Sequence, residues 1–414
     1  MIAERPLRWP MAILLILPAT AIGAPVMIEA IPGQAELGTV EIHGVSAGPF
    51  DPAIWRSGSL NLVPDIRHPL LAPCQGGGFR NIYAPSPVEV PGGWRLFYGA
   101  WDGVQSGNDR IYSRFTADFI DFGERRIEIE HGTFIHVCNV NAVRLPDGSF
   151  RMACTAYPDT NGQNKPAIFT SPDGRAWNDK PAPYPATASD IIQIEGYPNY
   201  DAADINGMNV LRHENGKYRL YFGDFKARLQ VHRASSDDGR RFTYDGVSLD
   251  AAMMVNDVRD FIVDGQPVYL MALHANTSRL WYALSGDGME FEPQREMAVS
   301  RSDADKYIVA VGWVSNGDRL LGFVYGAGAV PSLDRNRLFA RWLQKKLVFT
   351  DRQGNTLTVA GALGPDRQII SIPARETEGR LEILSEDGKT RLGEPLDLKL
   401  TAGGMYRLTW RVAR

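Results

Sequence analysis

Asp204 to Phe225 reads DINGMNVLRHENGKYRLYFGDF. A polar start leads into a short apolar run, then Asn215-Gly216, then the aromatic run around Tyr218 to Phe222. Two β-prone runs around an Asn-Gly pair are a strong short-range signal for a β-hairpin. The same order recurs along the chain. Asn81 begins NIYAPSPVEVPGGWRLFYGAWDG, and Asn139 begins NVNAVRLPDGSFRMACTAYPD. Asn256 begins NDVRDFIVDGQPVYLMALH, and Tyr307 begins YIVAVGWVSNGDRLLGFVYG. Each carries a tight-turn tripeptide between its two runs.

A second punctuation follows each hairpin: a Ser, an Asp or Gly turn, then an aromatic ring. It is read at Ser113 with Phe119, at Ser171-Pro172-Asp173-Gly174 with Trp177, at Ser235 to Gly239 with Phe242, and at Ser285 to Gly288 with Phe291. The Asp and Ser side chains suit closure of such turns on nearby backbone N–H groups. Leu338 to Phe349 (LFARWLQKKLVF) supplies the fifth outer strands without that turn. Four strands per unit at a period near fifty predict a β-propeller. The expected fold class is all-β: a five-bladed β-propeller over residues 66–349. Thr350 to Arg414 alternates strand patterns with DG and GG turns and is read as a small β-sandwich-like appendage. Val40 to Val45 can return to pair with it, within a 24–65 N-terminal β segment.

Residues 1–23 have the pattern of a secretory signal peptide. Arg5 and Arg8 precede an apolar run from Met11 to Leu17, and Ala21 and Gly23 are small residues at the cleavage positions. That run is short for a membrane span. The expectation is export to the periplasm or the medium, with no stable membrane insertion after cleavage. Cys74, Cys138 and Cys154 would then meet an oxidising compartment, where one disulfide and one thiol is the simplest outcome. Three cysteines cannot make a four-Cys zinc site. The 7 histidines show neither HExxH nor HxH spacing.

The 414 residues carry 44 Lys+Arg against 48 Asp+Glu, a net charge of -4. A nucleic-acid binder needs a basic surplus, so no nucleic-acid partner is expected. Hydrophobic residues at 44% exclude an extended disordered chain.

The five hairpins resemble the five-bladed propeller glycoside hydrolases, the clan that includes family 43 arabinanases and family 32 fructosidases. Asp204-Ile205-Asn206, Gly216-Lys217-Tyr218 and Phe222-Gly223-Asp224-Phe225 are similar to the arabinanase blade pattern. Arg259-Asp260-Phe261 is similar to the RDP strand start of the fructosidases. The resemblance implies a carbohydrate substrate and paired carboxylates at the propeller axis. It also allows an axial calcium, on family analogy only; no cofactor is read from the residues. The first blade departs from the family, because Tyr83-Ala84-Pro85-Ser86 stands where an acid is expected, and the second offers only Asn139 and Asn141.

Glycoside cleavage uses one carboxyl group as acid and another as base or nucleophile. Asp204 and Asp260 are the chosen pair, with Asp257 as the alternative to Asp260 and Glu195 as a further candidate acid. Arg80, Asn81, Tyr83, Asn139, Asn141, Asn206, Trp101 and Arg259 are the candidate sugar-binding groups, since amide and guanidinium donors suit vicinal hydroxyls. His274 reads as core rather than site. The expected function is a secreted, monomeric glycoside hydrolase acting on a furanose-containing or related glycan. The alternatives are a glycan-binding propeller without catalysis and a partner-docking propeller of the envelope.

Overall fold

The computed structural model describes residues 26–31, 38–73, 79–102, 109–158, 163–331, 335–357, 359–372 and 376–410. The signal segment and Cys74 lie outside the described residues. The described chain is nearly all β. Its only α-helix is Pro52–Ser57, capped by the Asp51 side chain, and three short 3-10 turns complete the helical content. No helix among the described residues is long and apolar enough to cross a membrane.

The chain divides into two compact units: Ala47–Leu343, and Met1–Ser46 with Gln344–Arg414. Besides a two-stranded sheet of Ala176–Trp177 and Lys180–Pro181, the first holds five larger sheets with antiparallel cores. Sheet I starts with Phe79–Val90 and Gly93–Asp102, sheet II with His136–Arg144 and Phe150–Tyr157, and sheet III with Val210–Glu214 and Lys217–Phe222. Sheet IV starts with Met254–Val263 and Gln266–His274, and sheet V with Tyr307–Asn316 and Arg319–Gly328. Each pair is a hairpin closed at the turn read from the sequence, in register across Val90↔Gly93, Arg144↔Phe150, Glu214↔Lys217, Val263↔Gln266 and Asn316↔Arg319. The five first strands adjoin one another in the cyclic order I, II, III, IV, V and back to I, so they surround a common axis.

The outer strand of sheet V differs from the reading of Leu338 to Phe349. Arg337–Leu343 is its third strand, and Leu62–Pro64, from the beginning of the unit, pairs with it as the fourth. Lys346–Asp351 instead pairs with Thr377–Leu384 in the other unit. The cause is chain closure: a ring needs an edge strand from one end of the unit to meet the other end, and a hairpin count along the sequence does not reveal it. The apolar cores lie between neighbouring sheets. Phe97, Phe150, Phe169 and Trp177 pack between sheets I and II, and Phe50, Trp55, Phe261, Tyr282 and Trp313 pack around sheets IV and V.

The Ser-Asp turns form as a repeated device. The hydroxyls of Ser171, Ser236 and Ser285 accept the N–H of Gly174, Gly239 and Gly288, at 2.7, 2.9 and 2.9 Å. Asp173, Asp238 and Asp287 then accept two backbone N–H groups each. The third-sheet turn therefore starts at Ser236 and not at Ser235. In sheet I the same role falls to Thr116 and Asp118 rather than Ser113, and Phe119 takes the left-handed glycine position at φ 57. Ser113 instead donates to the buried Glu128 at 2.6 Å.

The second unit has two sheets. Gly38–His43 lies between Arg367–Ile372 and Met405–Trp410, and Lys346–Asp351 pairs with Thr377–Leu384. Val40, Ile42, Phe349, Ile370, Leu381, Leu398 and Leu408 share one buried cluster.

Candidate active site at the ring axis

Along the axis the first strands carry three layers of chemistry. A pocket opens at the strand starts, a hydrogen-bonded plug fills the middle, and an arginine-rich cavity lies at the strand ends.

The plug is built from Ser86, Asn141 and Asp257, all buried. Ser86 Oγ accepts the Ala142 N–H at 2.9 Å, and Asn141 Oδ1 accepts the Leu211 N–H at 3.0 Å. Asp257 accepts from Asn141 Nδ2 (3.2 Å), Val258 N (2.9 Å), Trp313 N (2.9 Å) and Arg259 Nε (3.3 Å). These bonds tie sheets I to V to one another. Asp257 and Asn141, expected as acid and sugar ligand, are therefore engaged in holding the first strands together.

The pocket at the strand starts has a volume of about 170 Å³. Rings from Tyr83, Trp101, Tyr157 and Phe225 line it, with the amides of Asn139, Asn206 and Asn276, the imidazoles of His136 and His274, and one carboxylate, Asp109. The strands bring these groups inwards through bulges. The register shifts between Tyr83 and Ser86, between Cys138 and Asn141, between Val255 and Asp257, and between Ile308 and Ala310. A bulge inserts an unpaired residue and re-aims side chains, and here it recurs at the same level in four strands. Asn139 sits in one of them at φ 55, a conformation Asn tolerates.

Asp109 is the centre of the pocket's polar chemistry. It is 2% exposed. Tyr83 Oη donates to its Oδ2 at 2.6 Å, and His136 Nδ1 lies 3.2 Å from the same oxygen. Its Oδ1 is buried without a hydrogen-bond partner. A carboxylate oxygen left without a donor away from water is costly. Tyr157 packs edge-on against His136 at 3.7 Å and donates to Asn206 Oδ1 at 2.6 Å. Burial first, then the charges of Cys138, Asp109 and Asp204, push the Tyr157 hydroxyl well above its usual range. Burial and the Asp109 charge do the same for Tyr83. Both phenols are therefore hydrogen-bond donors at neutral pH. His274 Nδ1 lies 2.8 Å from Asn256 Oδ1, and burial lowers its pKa to about 4, so it stays neutral.

The other sequence candidates fall in different places. Asp204 lies in the half-buried loop two residues before Asn206, where Asn164 Nδ2 donates to it at 2.6 Å. Glu195, expected to reach the axis, lies exposed on Gln193–Glu195, the outermost strand of sheet III. Asp260 and Arg259 lie towards the strand end, beyond the plug, where Arg212 donates to Asp260. Asp204 and Asp260 are thus not brought together. Asn81 is buried and accepts the Asn336 N–H at 2.9 Å. Tyr83, Asn139, Asn206 and Trp101 line the pocket, and the side chain of Arg80 lies outside the described residues.

Asp109, His136, Tyr157 and Phe225 were not singled out by sequence. Phe225 belongs to the FGDF run, and His136 stands two residues before Cys138 at the start of the second inner strand; both were legible as strand-end positions. Asp109 follows the second strand of sheet I, a position with no motif of its own. Cys138 and Cys154 are buried free thiols, so the expected disulfide does not join these two. They lie on the paired strands of sheet II, where Cys138 stands opposite Thr155 and Asn141 opposite Ala153. No group of three or more metal-ligating side chains occurs among the described residues.

No family model matches the chain, and no curated protein matches it in sequence. Solved structures do resemble it. A candidate glycosidase from Bacteroides thetaiotaomicron VPI-5482 is 16% identical with a TM-score of 0.50, over 72% of this chain and 99% of that one. A GH62 hydrolase in complex with xylotriose is 12% identical with a TM-score of 0.50, over 70% of this chain and 100% of that one. These neighbours are glycoside hydrolases of β-propeller type, and at such identities the likeness shows the fold alone.

Proposed function

We propose that this chain is a glycoside hydrolase whose reaction centre is the pocket around Asp109. On this reading the five sheets are the blades of a five-bladed propeller, and the two-sheet unit is its appendage. The observation that carries the reading is a buried carboxylate with one unpartnered oxygen, in a pocket of aromatic rings and amides. That combination suits a sugar: rings cover its apolar faces and amides meet its hydroxyls. A volume of about 170 Å³ suits one sugar ring rather than a chain.

Hydrolysis needs a second proton-carrying group. Asp204 is the proposed partner, because it stands two residues before Asn206, which lines the pocket and accepts a hydrogen bond from the Tyr157 hydroxyl. In this assignment one carboxyl group gives its proton to the departing glycosidic oxygen. The other takes a proton from the water that adds to the anomeric carbon. Tyr83 fixes the Asp109 carboxylate through its hydroxyl, and His136, whose Nδ1 lies 3.2 Å from the same oxygen, is the neighbouring group that moves that proton onward. The signal-like pattern of residues 1–23 supports export, and the near-neutral charge fits a neutral sugar.

The test is release of reducing ends from neutral oligosaccharides by wild type, Asp109→Asn and Asp204→Asn. The expectation is a loss of at least about 100-fold in each variant, with sugar binding retained. Full activity in either folded variant removes that residue from the assignment. The single carboxylate in the pocket lining favours a second reading, a sugar-binding propeller without turnover. It is supported if wild type binds oligosaccharides and releases no reducing ends.

A further inference from the structure

The far end of the axis holds a second cavity, separated from the pocket by the Ser86–Asn141–Asp257 plug. It has a volume of about 550 Å³. The ends of all five first strands line it: Val88 to Val90 from sheet I, Val143 and Arg144 from II, Arg212 from III, Arg259 from IV and Ser315 from V. Three guanidiniums therefore converge on one opening.

Two of these arginines are nearly dry. The side chains of Arg212 and Arg259 are 10% and 11% exposed. Each is anchored by one carboxylate, Arg212 by Asp260 and Arg259 by Asp257, whose nearer oxygen lies 3.2 Å away. Arg259 also donates to the Pro87 carbonyl at 2.8 Å. Anchoring leaves donors over, since a guanidinium has five N–H bonds. Arg212 Nε is buried without a hydrogen-bond partner. The exposed Arg144 adds a third positive charge. The negative group in the lining is Glu89, which is exposed and accepts the Gly317 N–H at 3.0 Å. The lining presents Arg144, Arg212 and Arg259 against Glu89, while Asp260 and Asp257 balance Arg212 and Arg259 from outside it and leave Arg144 without a carboxylate partner among the described residues. Burial, and the neighbouring Arg212 charge, lower the affinity of Arg259 for its proton, which Asp257 counters. A negative group placed between the two guanidiniums would relieve that repulsion.

We propose that this cavity is a binding site for an oxyanion, held by Arg144, Arg212 and Arg259. Planar and tetrahedral oxyanions match the guanidinium fork, which is why arginine is used for carboxylate, sulfate and phosphate groups. The site is independent of the hydrolytic pocket, because the plug lies between them. Its ligand is either a free inorganic anion or an acidic substituent on a glycan.

The full-length protein is titrated by calorimetry with sodium sulfate, and separately with sodium glucuronate, against sodium chloride at matched ionic strength. Saturable binding of sulfate identifies a free anion as sufficient; saturable binding of glucuronate alone identifies a sugar-borne carboxylate. Either must weaken about tenfold in Arg144→Gln, the loss expected for one charge-assisted contact. Arg144 is exposed, so this variant keeps the fold, and Arg212→Gln is the second variant. Overturning results are the absence of saturable heat with both anions, or binding undiminished in Arg144→Gln.

Discussion

His274 illustrates how a single side chain couples the site to stability. Its imidazole is buried, bonded to Asn256, and has its pKa lowered to about 4 by burial. The unfolded chain binds that proton near pH 6.5. Above pH 6.5 neither state is protonated there, and the fold is unaffected. As pH falls from 6.5 towards 4, the unfolded state gains the proton first and stability is lost. The loss between pH 7 and pH 5 should be about 2 kcal/mol from this group. Denaturant unfolding at both pH values checks it: His274→Asn should show a correspondingly smaller drop than wild type. An equal drop in both proteins would mean His274 is not the group responsible. Asp260 shows the opposite balance: burial raises its pKa, but the Arg212 guanidinium and its hydrogen bond outweigh this and hold it low. It remains charged down to acid pH, consistent with anchoring an arginine rather than donating a proton.

At the scale of elements, the hairpins and most of their turns were legible because turn chemistry is local. Gly216 at φ 78 and Gly265 at φ 75 occupy the left-handed positions that such turns demand. Sheet I hid its outer turn because Phe119 occupies the position filled by glycine in sheets II, III and IV. Phe119 pays for that conformation with packing: its ring lies 5.2 Å from Trp94 and 5.1 Å from Trp342. Phe119→Gly would relieve about 1–2 kcal/mol of backbone strain but remove a buried ring worth about 3–5 kcal/mol. The variant should therefore unfold at lower denaturant, and equal or greater stability would show that strain outweighs packing. The site was less legible for a geometric reason. A strand advances about 3.3 Å per residue, and on one strand Met254 lines the pocket while Arg259 lines the far cavity. The sequence left Asp257 and Asp260 as alternatives for one role, whereas Asp257 is in the plug and Asp260 beyond it. The bulges that turn Asn139 and Tyr83 inwards leave no trace in the hydrophobic pattern.

For the ring as a whole, closure depends on contacts between residues far apart in sequence. Leu62–Pro64 completes sheet V, and Trp342 Nε1 donates to the buried Asp65 at 2.8 Å. At the seam between sheets V and I, a methyl group on Gly312 would stand 2.3 Å from the Pro85 carbonyl oxygen and 2.6 Å from Pro87 Cδ. Gly312→Ala should cost at least about 1–3 kcal/mol by overpacking, read as a lower denaturant midpoint. An unchanged midpoint would mean the seam yields freely. Asp109 stands directly before Arg110–Thr116, the third strand of sheet I; sheet I itself brings it to Tyr83, and the packing of sheet I on sheet II brings it to His136. No spacing along the chain encodes that meeting.

On the proposed assignment, chemistry occurs at the strand-start pocket and not beyond the plug. Reducing-end release measured side by side for wild type, Asp109→Asn and Asp260→Asn tests it. The expected result is a loss of at least about 100-fold in Asp109→Asn and less than about tenfold in Asp260→Asn. The reverse order, with Asp260→Asn inactive and Asp109→Asn active, would contradict it.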